Sequence, residues 1–469
     1  MEEDFEFDSP EEQKFSVDRY EEMLRNEDQY FFDTKAFESI IDYYISKNDP
    51  IKALQVIDYA IAQHPFETLF IIKKAQLLTS THQFELALEA LTKAEFLEPS
   101  EADIYLIKGT IFSTLSEHEL AEENFMKSLE LSENPDEVYY QIANLYQIQG
   151  FYLKAIENLK MCLNINKDNQ EALYEIAFCY DVLGKHEESV QFYLQYIDSD
   201  PYSFAAWYNL GNAYHKLEQF AAAIDAYDYA ILIKDNFSSA YFNKGNALVN
   251  LDRYNEAIEV YKQTFEYEPP TADTYCAIGE CYEKLEKMDE ARKYYKKAVK
   301  LDSNQSDAWF GIGVTLDFEE RYFESLHFYK KALEIDDENP DYWFAIADAR
   351  YKLKQYDQSI EAYGKVVELN PTDVEAWLDY SSLLYEQSHL QEAIDVISEA
   401  IKCNPDDALL YYRMVAYLFA AGKYNDALNF LDLALNIDPE KNYILFEYLP
   451  QLQGNQVIID IIKKYTNNK

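Results

Sequence analysis

An aromatic side chain recurs every 34 residues at Tyr140, Tyr174, Tyr208 and Phe242, is replaced by Cys276, and returns at Phe310 and Phe344. Asparagine keeps the same interval: Asn209 and Asn212 are followed 34 residues later by Asn243 and Asn246, and Asn144 precedes Asn212 by two intervals. A third phase is acidic, at Glu137, Glu171, Asp273, Asp307, Asp341 and Glu375. The chemistry open to such a set is recognition. An asparagine amide both donates and accepts, so it can pair with an extended peptide backbone whatever the peptide's sequence. Aromatic rings supply contact area at little rotamer cost, and carboxylates attract lysine and arginine. Two of these classes have a structural alternative. An aromatic can pack against a neighbouring helix, and an acid near a helix start complements the macrodipole without a partner. Asparagine is a mediocre helix former, so four at matching phases call for a reason.

Catalytic constellations are missing. The chain has no P-loop, GxGxxG, HExxH, GxSxG or kinase-like set. Its seven histidines are scattered, and none has a second His or Cys at metal-ligand spacing. His82, His118, His186 and His389 fall near turns. The five cysteines, Cys162, Cys179, Cys276, Cys281 and Cys403, lack CxxC spacing and read as buried thiols in a reducing compartment. A non-enzymatic protein without cofactor or metal is expected.

The elements that position these residues follow from the period. Twelve 34-residue units run without insertion from Thr34 to Lys441, beginning at Thr34, Thr68, Ala102, Asp136, Gln170, Phe204, Ser238, Ala272, Ser306, Pro340, Val374 and Ala408. The twentieth position is Ala or Ser in every copy. In the unit from Phe204, Trp207, Leu210, Gly211 and Tyr214 share one helical face, and Phe220, Ala223, Ile224, Tyr227, Ala230 and Ile231 share another. The polar link from His215 to Gln219 separates them, so each unit reads as a helical hairpin. Prolines such as Pro201, Pro371 and Pro405 close the second helix.

The pattern W-x2-L-G-x2-Y…A-x3-Y…A resembles the tetratricopeptide repeat, with Trp or Tyr at Trp207, Tyr241, Tyr275, Trp309, Trp343, Trp377 and Tyr411, glycine four residues later at Gly211, Gly245, Gly279 and Gly313, and tyrosine at Tyr193, Tyr227, Tyr261, Tyr295, Tyr329 and Tyr363. The resemblance implies an all-α, right-handed superhelix of twelve hairpins, longer than one superhelical turn, with a C-terminal capping helix. It also implies that the first helix of each hairpin lines the concave surface. The second, fifth, sixth, ninth and twelfth or thirteenth positions would then face a bound segment. The expected peptide groove is therefore Tyr140, Asn144, Tyr174, Tyr208, Asn209, Asn212, Phe242, Asn243, Asn246, Phe310 and Phe344. Similar arrays that clamp a C-terminal carboxylate use paired lysines across three repeats; Lys73 and Arg413 stand isolated here, so docking of an acidic chaperone tail is not expected.

The formal charge of −45 excludes a phosphate-backbone reader and would repel an anionic membrane surface. It suits a basic guest or, more simply, solubility. The expected function is a scaffold or adaptor for an extended, basic protein segment. The alternatives are a structural component that self-associates through convex faces and edges, and a regulatory subunit of a separate catalytic chain.

Residues 1–33 form an acidic segment with thirteen acidic and three basic residues, a net of −10. Met1 to Asp8 is expected to be disordered. Ser9-Pro10-Glu11-Glu12 reads as a capping box opening a helix over 10–26, with Phe15, Tyr20, Met23 and Leu24 as its docking face. Residues 442–469 read as capping helices, Asn442 to Leu449 and Asn455 to Tyr465, the latter with Val457, Ile458, Ile461, Ile462 and Tyr465 inward. No secretory signal or membrane-length apolar run is visible, which makes the cytoplasm the default compartment.

Overall fold

The computed structural model describes residues 10–26 and 29–466. It comprises two compact units, Met1–Ile233 and Lys234–Lys469. The first holds a helix, Pro10–Asn26, and hairpins one to six; the second holds hairpins seven to twelve and the C-terminal helices Tyr443–Tyr448 and Gln456–Thr466. No strand occurs among the described residues. Each hairpin's first helix starts at the residue where the repeat starts, from Thr34–Ser46 to Ala408–Ala420.

The turn inside every hairpin is built the same way. The fifteenth residue of all twelve units is left-handed, and nine of the twelve are not glycine, among them Asn48, His82, Glu218 and Lys354 with φ of 55–59°. In unit six the Glu218 amide donates to the His215 carbonyl at 3.0 Å and the Gln219 amide to the Tyr214 carbonyl at 2.9 Å. This pair of bonds is a Schellman ending, which satisfies carbonyls that the helix leaves open. The second helix follows one residue later, so the two run antiparallel at close range.

Close range is set by what the repeat leaves out. All twelve small residues at position twenty are buried, from Ala53 to Ala427. At position eight a methyl group on Gly211 would lie 2.5 Å from a ring carbon of Tyr227, and one on Gly279 would lie 2.7 Å from Tyr295. Gly109 stands in the same relation to Phe125, Gly245 to Tyr261 and Gly313 to Tyr329. The tyrosine or phenylalanine ring of the second helix thus occupies the space a Cβ would need. Successive units within each half are joined by another recurring bond. The indole N–H of Trp207 donates to the Pro201 carbonyl at 3.0 Å, Trp309 to Ser303 at 2.9 Å and Trp377 to Pro371 at 2.9 Å; the hydroxyls of Tyr105 and Tyr411 reach Pro99 and Pro405 likewise. The fourth position therefore pins the start of its hairpin to the chain entering it.

Both ends carry a cover. The helix Pro10–Asn26 buries Val17, Tyr20 and Met23 against Phe32, Phe37, Ile40 and Ile57. Its extent matches the expected 10–26, but Phe15 and Leu24 are exposed rather than docked, because the buried stripe runs through 17, 20 and 23. The expectations for Met1 to Asp8 and for Ser9 lie outside the described residues. The last helix buries Ile458 and Ile462, while Val457 is exposed; Tyr465 is partly buried and donates its hydroxyl to Asp432. Four cysteines are buried as expected, but Cys403, at the end of a second helix, is exposed.

Replacing Gly211 by alanine forces the Tyr227 ring to shift and is expected to destabilise the array by about 1–3 kcal/mol. A urea titration followed by circular dichroism should show a lower midpoint for G211A than for the unaltered chain.

Candidate functional site

In the first unit, the first helices Asp136–Ile148, Gln170–Val182 and Phe204–Lys216 present the expected aromatics in succession. Tyr140, Tyr174 and Tyr208 are each half-buried. The rings of Tyr174 and Tyr208 meet edge-on at 6.3 Å, and Tyr208 tilts onto Tyr227 at 6.0 Å. Burial raises the phenol of Tyr140 above its ordinary value, and the nearby carboxylate of Glu175 adds to the effect, with Glu171 and Glu137 behind it. This row is thus an aromatic surface edged with acid.

The asparagines divide into different roles. Asn209 is buried, and its amide nitrogen has no hydrogen-bond partner. Asn212 turns inward by one atom: its Oδ1 accepts the Tyr227 hydroxyl at 2.9 Å. In the second unit Asn246 does the same for Tyr261 at 2.6 Å. Asn144 and Asn243 are half-buried on their helices. Two of the asparagines therefore help hold the tyrosine that fills the glycine gap, a packing duty that their spacing did not reveal.

The second unit carries Phe242, Phe310 and Phe344, all half-buried. Each ring leans on the tyrosine of its own hairpin: Phe242 on Tyr261 at 5.4 Å, Phe310 on Tyr329 at 5.3 Å and Phe344 on Tyr363 at 5.6 Å. Phe310 also meets Tyr342 of the next hairpin at 4.8 Å. Each ring is thus packed in part and exposed in part. Cys276, which interrupts the row, is buried and directs its thiol to Glu280 at 3.6 Å. Some acids of the second position are already engaged, since Asp307 accepts from the Tyr342 hydroxyl at 2.6 Å and Asp273 from Gln305 at 3.0 Å.

Sequence reasoning missed the acids at the sixth, ninth and twelfth positions of this unit. Glu280, Glu283, Asp317 and Asp379 stand on the same first-helix faces. Enclosure by surrounding protein pushes all four carboxyls above their ordinary range. Asp307 and Glu283 add to the effect at Glu280, and Glu375 adds to it at Asp379. Lys352 opposes it at Asp317, which it reaches at 3.1 Å, leaving the second oxygen of that carboxylate buried without a partner. Glu280 is nonetheless accessible to water, which is the condition of a carboxylate on a surface walled by its neighbours. Reading the asparagine positions through every repeat, instead of only where asparagine stands, would have found Glu280 and Asp348 at the ninth position.

No helix among the described residues is long and apolar enough to cross a membrane, and no group of three or more His, Cys, Asp or Glu side chains among them could hold a metal ion.

Models of the tetratricopeptide repeat match residues 102–135, 136–169, 171–203, 204–237, 238–271, 272–305, 306–339 and 344–408. No curated protein matches the chain. Among solved structures, YrrB, a tetratricopeptide protein with an unusual peptide-binding site, is 21% identical over 42% of this chain and 97% of its own, with a TM-score of 0.33. The APC/C hetero-tetramer Cut9–Hcn1 is 13% identical over 87% of this chain and 93% of that one, with a TM-score of 0.43. MamA is 29% identical over 34% of this chain and 95% of its own, with a TM-score of 0.31. The repeat models cover well over half of the chain, six of the eight segments beginning where a first helix begins, so the chain belongs to the tetratricopeptide repeat family.

Proposed function

We propose that this protein is an interaction scaffold that holds an extended, basic polypeptide segment on the first-helix faces of its hairpins. The observation that carries the reading is two groups of carboxyls on first helices, Glu280 with Glu283 and Asp379 with Glu375, in which burial and a neighbouring acid hold Glu280 and Asp379 above their ordinary range, with the half-buried rings of Phe310 and Phe344 on hairpins between them. Gathering like charges on an enclosed surface costs folding free energy that lysine or arginine on a guest would offset. The rings would take the apolar parts of the guest, and Tyr140, Tyr174 and Tyr208 offer the same combination in the first unit.

Self-association has one observation in its favour. A cavity of about 430 Å³ lies between the last hairpin and the C-terminal cap, lined by Phe419, Leu428, Leu452 and Ile458, with Tyr424 and Val457 exposed beside it. Light scattering over a concentration series separates the two readings: constant mass speaks for the scaffold, rising mass for assembly.

The sign of the pH dependence follows from the direction of the shifts. A carboxyl raised in the folded state loses its proton at higher pH than in the unfolded chain, so stability falls as pH climbs from the ordinary glutamate value of 4.5 through the raised values. A cationic guest needs the ionised form, so its affinity should rise over that same window and then level off. Binding of a labelled peptide alternating lysine and tyrosine should show this profile and weaken in E280Q/D379N. An equal loss in D289N/E290Q, which removes acids from a second helix, would overturn the first-helix site.

Because Asn246 accepts the Tyr261 hydroxyl, replacing it by alanine is expected to cost about 1 kcal/mol of stability as well as any guest contact. In a double-mutant cycle by urea unfolding, Y261F should make the N246A substitution nearly neutral.

A further inference from the structure

Position eleven of the repeat is an aromatic residue or leucine in every unit but one: Tyr214, Tyr282, Leu316 and Leu384 are examples, and unit ten has Arg350. Leu316 and Leu384, in the units on either side, are buried, whereas Arg350 is half-buried. Its guanidinium is held in place, with Nη1 donating to the Gln358 carbonyl at 2.9 Å. Beside Arg350, between the second helix Tyr322–Leu333 and the hairpin that follows it, lies a pocket of about 380 Å³. Phe323, Leu326, His327, Lys330, Arg350 and the glutamine amides of Gln355 and Gln358 line it.

Two basic side chains meet at this pocket without a carboxylate partner. Arg253, Arg292 and Arg321 of the same unit are in ion pairs with Glu256, Glu319 and Glu324, whereas Arg413 bonds to the hydroxyl of Ser382. Among the described residues Arg350 and Lys330 make no ion pair, although the chain has 86 acidic side chains to 41 basic ones. Both therefore keep unpaired positive charge at one opening, with Phe323 exposed at 77% beside them.

We infer that this pocket binds an acidic peptide segment in which carboxylates flank a large apolar side chain. The guanidinium fork suits a carboxylate in two-pronged contact, Lys330 supplies a second charge, and Phe323 and Leu326 take the apolar neighbour. The volume lies at the small end for ligand pockets and suits one such side chain with its adjoining acid. The array would then offer a site for an acidic segment in addition to the one proposed for a basic segment.

The test uses the full chain at physiological salt, where long-range repulsion by its own acids is screened. Fluorescence anisotropy with a labelled EDFEFDE peptide should show saturable binding, and the amide isostere QNFQFNQ should not bind. R350L installs the residue that units nine and eleven already use, so the hairpin should keep its helicity by circular dichroism while affinity falls about tenfold or more. K330Q should weaken binding as well, and K296Q/K300Q, on the neighbouring second helix, should leave it unchanged. Binding that ignores R350L, equal binding of the isostere, or loss in K296Q/K300Q alone would overturn the assignment. Uptake of inorganic phosphate with no binding of the peptide would overturn it too, in favour of a phosphoryl ligand.

Discussion

The contact on which five of the twelve hairpins depend is between an absent atom and a ring. Where glycine stands at position eight, the tyrosine or phenylalanine of the second helix lies across the first helix's backbone, at a distance that a Cβ would not tolerate. The spacing of the two helices follows from it, and so does the tilt of the fifth-position aromatics, which rest on that same tyrosine. The ring must also satisfy its hydroxyl. In units six and seven an asparagine accepts it, and in unit eight Glu283 does so at 2.8 Å. Residues that resemble a binding ladder are in part the outer end of a packing device. A buried donor without an acceptor costs more than the hydrogen bond returns, so these positions are constrained from within before any guest arrives.

The electrostatics are set against the same frame. Surface ion pairs are numerous and mostly local, such as Arg253 with Glu256 and Lys365 with Glu368, and each contributes little. The more consequential charges are the carboxyls of the first-helix faces, of which Glu283, Asp317 and Asp379 are half-buried. Their neighbours are other acids or tyrosines more often than lysines, so the free protein holds them at a disadvantage. A surface of this kind is poised for a cation in a way that a uniformly solvated acidic coat is not.

Most of the fold was legible because it is periodic. The helix starts at Thr34, Thr68 and their successors, the buried residues at position twenty and the N-terminal helix over 10–26 all follow from spacing and residue size. What escaped was local. Nothing in Glu218 or Lys354 announces a left-handed backbone; only the comparison of all twelve fifteenth positions, where no β-branched residue occurs, hints at it. Composition does not separate the docking face of the first helix from its outer face, since the exposed Phe15 and Leu24 are as apolar as the residues that bury. The candidate groove residues were found by phase, but phase cannot say which side of a half-buried ring is covered, or that Asn212 and Asn246 each spend an acceptor inward. Arg350 was visible in the sequence as an exception and meaningless until the space around it was.

The identical turn in every unit has a genetic consequence. A duplication or loss of 102 base pairs, or about one repeat's coding length, would splice one Schellman ending to the next and leave the remaining hairpins with their partners. A single-codon slip inside a helix would instead rotate the rest of that helix off its face by about 100°. Lineages of such a gene should therefore differ by whole hairpins, with the specialised units, including the one bearing Arg350, carried or dropped intact.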